Sequence, residues 1–442
     1  MRSDTFPASF PASHSFDSRR FFITAGGRRV AVTGLGAVTP LGLGADTFFS
    51  ALLRGDSGIA LIERFDTEEF AAKIAGEVRG VHYHADDHFT SKEQRRLDPL
   101  TQFGLVAARE AWQDSGLQQE NLFEPERSGA ILGTGIGGIQ TIMDQHAVLA
   151  AKGPRRVSPF FIPNTMANAL PANVAIELGL QGACFATASA CSSAGHAIGL
   201  AMREIREGRA DVMVTGGSEA TTTPICLAGF ASLKALSTWN DRPGEACRPF
   251  DVERNGFVMG EGAGVFVLEE MEAAKKRGAK IYCEMAGFAQ TDDAGHITAP
   301  DSTGRRPAAA ITEALRDAQC SPEDIGYINA HGTSTQLNDK VETLALHLAL
   351  GDAAKNAWIS STKSMIGHLI GAAAGVEAIA TILSIHQGAI HPTRNCTNPD
   401  IEAGCDLDYV PGDARERSIQ AALSNSLGFG GHNVSLVFKA HT

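Results

Sequence analysis

The sequence predicts an α/β fold of two domain-sized halves, and three observations carry that prediction. Short apolar strand-like runs alternate with helix-patterned segments from Arg28 onward, as an α/β chain requires. The 442 residues exceed what one ordinary hydrophobic core accommodates. Glycine occurs 47 times, where a typical usage of ~7% would give about 31, and the excess suits tight strand-to-helix turns and close helix packing.

The elements follow in order. Val30 to Val32 reads as a strand, with the glycines of Gly34-Leu35-Gly36 following it, and Pro99 to Trp112 reads as a helix closed by Ser115-Gly116. Gly129 to Leu132 is a strand. The small residues around Cys191 feed a helical pattern through Ala197, Leu200, Ile205 and Arg206, and Val212 to Val214 is a buried strand before Gly216-Gly217. Val265 to Glu270 ends the first half, and Lys280 to Ala286 begins the second. A helix over Pro307 to Asp317, a strand over Ile325 to Asn329, a helix over Val341 to Leu350 and a terminal strand over Val434 to Phe438 complete it. No internal repeat is visible in the residues themselves.

Hydrophobic content of 43% suits a soluble globular enzyme, and no apolar run reaches the ~18 residues of a membrane span. Eight cysteines without a Cys-x-x-Cys pair argue against zinc and for reduced thiols. Residues 1–27 stand apart, with Phe6-Pro7-Ala8-Ser9 followed directly by Phe10-Pro11-Ala12-Ser13 and later Arg19-Arg20. They read as a disordered extension, and a cytoplasmic location is expected in preference to organelle import through this segment. The glycine loops invite a dinucleotide-binding reading. Thr39 stands where the third glycine of Gly34-Leu35-Gly36 would be, and Gly133-Thr134-Gly135-Ile136-Gly137-Gly138 also has the wrong spacing for the phosphate-binding fingerprint.

Cys191 in Ala-Thr-Ala-Ser-Ala-Cys-Ser-Ser-Ala-Gly-His is the leading candidate nucleophile. Its place at a helix N-terminus predicts a thiolate favoured by the dipole and by unpaired N–H groups. Three later segments supply partners: Tyr327-Ile328-Asn329-Ala330-His331-Gly332-Thr333-Ser334-Thr335, Ser360-Ser361-Thr362-Lys363-Ser364-Met365-Ile366-Gly367-His368 and Asn425-Ser426-Leu427-Gly428-Phe429-Gly430-Gly431-His432-Asn433.

At these residues the chain resembles the β-ketoacyl-[acyl-carrier-protein] synthases, and within them the type II condensing enzyme of fatty-acid elongation. The likeness includes Val32-Thr33-Gly34-Leu35-Gly36, Arg64-Phe65-Asp66-Thr67, Ser158-Pro159-Phe160-Phe161, Asp251 to Gly262 and Cys405-Asp406-Leu407-Asp408. It implies a thiolase-like duplicated five-layer αβαβα sandwich, with one half over 28–279, the other over 280–442 and the seam near Ala279. It implies that Cys191 carries the acyl group, that His331 and His368 are the catalytic histidines, that Lys363 organises them beside a carboxylate such as Glu377, and that Phe429 is a gate. The backbone N–H groups of Cys191 and Phe429 are the implied oxyanion donors.

The implied reaction is decarboxylative condensation of malonyl thioester with acyl-Cys191. Thr333, Thr335, Phe230, Ile225 and Phe429 are the expected substrate contacts, with Cys226 beside them. No bound cofactor or metal is expected, since the substrates ride on the phosphopantetheine of an acyl carrier protein. Lys92, Arg95, Arg96, Arg155, Arg156 and Lys234 are the expected carrier-docking residues on a chain whose net charge is -12. A homodimer is expected, and neither nucleic acid nor membrane insertion. The alternatives are a polyketide or specialised-lipid ketosynthase and a non-catalytic partner subunit of such a system. Leu427 stands where the family commonly has Phe, and His432 where Thr is frequent.

Overall fold

A computed structural model describes residues 27–80, 82–119 and 122–441. All but the last of the extension residues 1–27 therefore lie outside the described residues.

Ten strands form the path of the main sheet. In the first half they are β1 (Val30–Thr39), β2 (Ser128–Gly133), β3 (Cys184–Thr187), β4 (Val212–Glu219) and β5 (Gly262–Glu270). The second half supplies β6 (Cys283–Asp292), β7 (Ile325–Asn329), β8 (Trp358–Ser360), β9 (Ala421–Gly428) and β10 (His432–Lys439). Outward from the middle, the first half runs β1-β5-β4-β2-β3 and the second β6-β10-β9-β7-β8, which is the same order. Strand directions repeat too: β2 is parallel to β3 and β4, β7 is parallel to β8 and β9, and the remaining pairs in each half are antiparallel. The duplication that no residue pattern reveals is therefore plain in topology. Among the described residues, two strand pairs, Ala31 with Glu284 and Val32 with Cys283, join the halves edge to edge.

Helices α1 (Pro99–Ser115) and α2 (Ala169–Leu178) cover the outer face of one half-sheet, while α4 (Arg305–Asp317) and α5 (Gln336–Leu350) cover the other. Between the half-sheets lie α3 (Ser193–Arg206) and α6 (Ala373–Gln387), each touching strands of both halves. This is the five-layer αβαβα arrangement. Every residue of α6 from Ala373 to Ile385 is buried, as a helix between two sheets must be. The same helix, taken from Ile370 to Gln387, is long and apolar enough to cross a membrane, but it is 89% buried inside the protein. Close approach needs small residues: a Cβ at Gly199 of α3 would overlap the Phe288 ring of β6, and one at Gly264 of β5 would overlap the backbone of α6.

Most sequence-predicted elements are present with longer bounds. The clearest departure is Gly34-Leu35-Gly36, which lies inside β1 rather than in a loop. Glycine is needed there because α1 packs so closely that a Cβ at either glycine would strike the carbonyl of Ala111 or Ala107.

Candidate active site

Cys191 follows Ala190, whose φ of 50° puts a non-glycine residue in the left-handed region. This turn, closed by Ser192 N–H to Ser189 O at 3.1 Å and Ser193 N–H to Ala190 O at 3.2 Å, aims the cysteine before α3 begins at Ser193. The sulfur is buried, with the N–H groups of Phe429 and of Cys191 itself directed at it.

The expectation of a thiolate-favouring helix terminus needs correction. Burial pushes the Cys191 thiol up to about 11, outweighing the nearby Lys363 charge and both N–H groups. The charged sulfur loses more from exclusion of water than a helix end two residues away returns.

His331 emerges from β7, where Glu342 of α5 accepts its N–H at 2.7 Å and that of Gly332 at 2.8 Å. His368 lies beyond the Gly367 turn, with Nε2 2.9 Å from Cys191 Sγ. The two imidazoles meet edge to face with centroids 5.4 Å apart, and Phe257 packs on His368 at 5.5 Å. Burial, followed by the Lys363 charge, holds both histidines well below the ordinary imidazole range, so they are neutral. Lys363 is fully buried, ion-paired with Glu377, with Nζ 3.4 Å from His331 Nδ1. An ammonium only donates, so Nδ1 accepts and the His331 proton sits on Nε2, facing the cavity.

Sγ and one nitrogen of each imidazole lie within 4.8 Å of one another, which is near enough for a metal. The tautomer opposes it: ligation through His331 Nε2 would leave Nδ1–H against the Lys363 ammonium, and His368 Nδ1 is buried with no acceptor among the described residues to orient it. The three groups form a better donor set than ligand set.

A cavity of about 520 Å³ opens onto these residues. Among its walls are Phe230, Lys234, Thr333, Thr335, Leu427 and Phe429. Phe429 is the first residue of a three-residue hairpin turn between β9 and β10, whose Gly430 and Gly431 have φ of 88° and 85°. Ile225 is not brought here: it is 59% exposed on the outer side of the helix Pro224–Ser232 and does not line the cavity. Cys226, one residue on, is buried in the cluster that contains Phe230 and Ile370.

Lys92, Arg95, Arg96, Arg155, Arg156 and Lys234 are all exposed and make no ion pair with another described residue. The Arg96 guanidinium lies over the Phe160 ring at 4.6 Å, linking the two basic segments.

Sequence reasoning missed Glu342 and Glu219. Glu219 accepts the N–H groups of Gly135 at 2.6 Å and Gly371 at 3.0 Å, thereby tying a loop of each half beneath the nucleophile. Burial pushes both carboxyls up to about 7. The available signal was a carboxylate in an apolar stripe: Glu342 shares the buried face of α5 with Val341, Ala345 and Leu346.

The family model described as Beta-ketoacyl synthase, N-terminal domain, matches residues 27–274, and its C-terminal counterpart matches 282–397. The chain is 48% identical over 414 residues to 3-oxoacyl-[acyl-carrier-protein] synthase 2 of Synechocystis, covering 94% of this chain and 98% of that one. The Vibrio cholerae protein of the same name is 47% identical over 416 residues, 93% of this chain and 99% of its own. A Burkholderia phymatum β-ketoacyl synthase superposes with a TM-score of 0.87 at 33% identity, covering 94% of this chain and all of that one. A type II polyketide ketosynthase, solved with its acyl-carrier protein and bound to a hexaketide, gives 0.87 at 34% identity with the same coverage. By sequence along nearly its whole length and by the duplicated fold that encloses Cys191, His331 and His368, the chain belongs to the β-ketoacyl synthase family.

Proposed function

We propose that the protein elongates acyl chains in fatty-acid synthesis by condensing malonyl-[acyl-carrier-protein] with an acyl group on Cys191, giving 3-oxoacyl-[acyl-carrier-protein] and CO2. The observation that carries this reading is the convergence on one sulfur of His368 Nε2 at 2.9 Å and two backbone N–H groups, with His331 held as a second N–H donor by Lys363. In the first half-reaction Cys191 Sγ attacks the acyl thioester carbonyl, and its proton passes through His368 to the departing pantetheine sulfur. The N–H groups of Cys191 and Phe429 stabilise the tetrahedral oxyanion.

In the second half-reaction the malonyl C–C bond breaks, CO2 leaves, and the electron pair becomes an enolate. Nε2–H of His331 stabilises its oxygen, joined by His368 in the tautomer that carries the ring proton on Nε2. The enolate carbon then bonds to the acyl carbon, the C–S bond to Cys191 breaks, and the departing sulfur takes up one proton from solvent, the proton that each condensation consumes. The Thr333 and Thr335 hydroxyls, 3.0 Å apart on the cavity wall, suit the amides of a phosphopantetheine arm. No bound cofactor enters this scheme.

The acyl carrier protein docks, on this reading, at Lys92, Arg95, Arg96, Arg155, Arg156 and Lys234. A second copy of the chain is proposed to cover β3, an edge strand that leaves Phe185 40% exposed beside Ile176 at 80% and Ile162 at 59%. Incubation with acyl carriers of graded length plus malonyl carrier, followed by mass analysis, tests the activity. A 3-oxo product two carbons longer, with one CO2 per turnover, is expected. Turnover confined to polyketide starters would move the protein to the alternative pathway.

A further inference from the structure

Glu219 ends β4 with its side chain buried, and neither half-reaction uses it. Its Oε2 accepts two backbone N–H groups from different halves of the fold, that of Gly135 at 2.6 Å and that of Gly371 at 3.0 Å, while Oε1 accepts the Thr134 hydroxyl at 2.9 Å. Both N–H groups meet the same oxygen, so the tie does not depend on whether Oε1 carries a proton. The two loops touch: a Cβ on Gly371 would stand 2.0 Å from Gly135 N. Between His368 and Gly371 comes Ile370, whose φ of 47° puts a β-branched residue in the left-handed region, an outlier that surrounding contacts must hold. Contacts of two kinds do so. The N–H that follows it, on Gly371, is fixed by Glu219, and a Cβ on Gly135 would lie 3.0 Å from Ile370 Cγ2 and 3.4 Å from Ala190 O. The Gly135 loop therefore packs on Ile370 and on the residue before the nucleophile.

So held, Ile370 is buried and walls the cavity beside Cys191 and His368, in one apolar cluster with Cys226 and Phe257. His368 has anchors of its own: its N–H donates to Val258 O at 2.7 Å, and its carbonyl accepts Gly260 N–H at 2.9 Å. Glu219 thus governs the wall rather than the imidazole. We infer that Glu219 is a positioning residue for acyl transfer, which by holding Gly135 and Gly371 on one oxygen keeps Ile370 in the strained conformation that shapes the cavity for the acyl chain on Cys191. The inference rests on the condensation reading. Without the carboxylate, two buried N–H groups lose their acceptor and the peptide between Ile370 and Gly371 is free to turn. The strained residue then relaxes toward negative φ, and its side chain leaves its place on the wall.

The test separates the two half-reactions in wild type, Glu219→Gln, Glu219→Ala, Ile370→Ala and the double variant Glu219→Ala/Ile370→Ala. Transfer of acyl groups from the carrier to Cys191 is timed by intact mass, and malonyl decarboxylation by released CO2. Glu219→Ala is expected to lower kcat/KM for acyl transfer by about 10–10²-fold while decarboxylation changes by less than about threefold, because His368 keeps its own anchors. Glu219→Gln retains an oxygen that can accept both N–H groups and is expected to stay within about threefold of wild type in both steps. In the Ile370→Ala background, loss of Glu219 is expected to slow acyl transfer little further, since the side chain through which it acts is gone. Where Glu219→Ala does not fold, Glu219→Asp, whose carboxylate falls one methylene short of the two N–H groups, takes its place. Equal losses in both steps, a Gln variant as impaired as the Ala variant, or independent effects of Glu219 and Ile370 overturn the proposal. Failure of the condensation reading registers differently, as no acyl adduct on Cys191 and no CO2 in wild type.

Discussion

Lys363 Nζ stands 3.4 Å from His331 Nδ1, and its charge is matched by the buried carboxylate of Glu377. One cation thus fixes which imidazole nitrogen carries the proton and disfavours an imidazolium there. Removing one member of a buried pair strands the other. Lys363→Met is expected to lower unfolding free energy by about 3–5 kcal/mol in urea melts, with Lys363→Met/Glu377→Leu recovering much of it. Equal loss in the single and double variants would remove the pair from the account.

The Cys191 thiol, pushed up to about 11, is protonated at neutral pH. Its alkylation by iodoacetamide is expected to rise about tenfold per pH unit from pH 7 to pH 10, because the thiolate fraction does so below the pKa. A plateau reached by pH 8 would mean that the thiolate is already formed. Cys191→Ser is expected to cut turnover by at least about 10³-fold and to leave no acyl adduct at residue 191 by mass spectrometry.

His331 and His368 differ in their distance from sulfur, which separates their roles. His331→Ala is expected to permit acylation of Cys191 while reducing malonyl decarboxylation by about 10²–10³-fold. His368→Ala removes the group 2.9 Å from Sγ and is expected to slow both steps. Released CO2 measured against protein-bound acyl group distinguishes them, and identical profiles for the two variants would contradict the assignment.

Phe429→Ala opens the cavity while the glycine turn keeps its backbone. Malonyl decarboxylation without an acyl chain on Cys191 is expected to rise severalfold over wild type, with thermal stability nearly unchanged. A rate of uncoupled decarboxylation equal to wild type would show that the ring does not order the two substrates.

Arg95 and Arg96 are exposed cations on a chain of net charge -12, so any attraction for an acidic carrier acts at short range, within a screening length of ~8 Å. Arg95→Glu/Arg96→Glu is expected to raise KM for carrier-bound substrate about tenfold and leave reaction with a small thioester analogue unchanged. Wild-type KM is expected to climb with salt. Insensitivity to both changes would move docking elsewhere.

Cys191, His331, His368 and Lys363 were legible in the sequence because each sits in a short run whose small residues and turns mark it as presented. Glu377 was named as one carboxylate that could partner Lys363, and the burial that makes such a partner necessary appears only in the fold. The protonation of Cys191 was not: a sequence exposes the helix end but not the burial that strips water from the sulfur. Glu219 was equally hidden, since its partners Gly135 and Gly371 lie 84 and 152 residues away. In Gly34 and Gly36, glycine suggested a turn where it serves a close helix crossing, a distinction that only the position of Ala107 and Ala111 supplies.

The repeated strand order has a consequence for cutting the chain. The half-sheets share little edge, but α3 and α6 each bury side chains against both, and Gly199 and Gly264 allow contacts that cross between halves. A fragment ending in the link between Arg277 and Ile281 would therefore carry an apolar slab with no cover. Expressed alone, either piece should collect in the insoluble fraction. Co-expressed, the two should rescue each other and reconstitute the enzyme without a peptide bond between them, as the halves of a split reporter do.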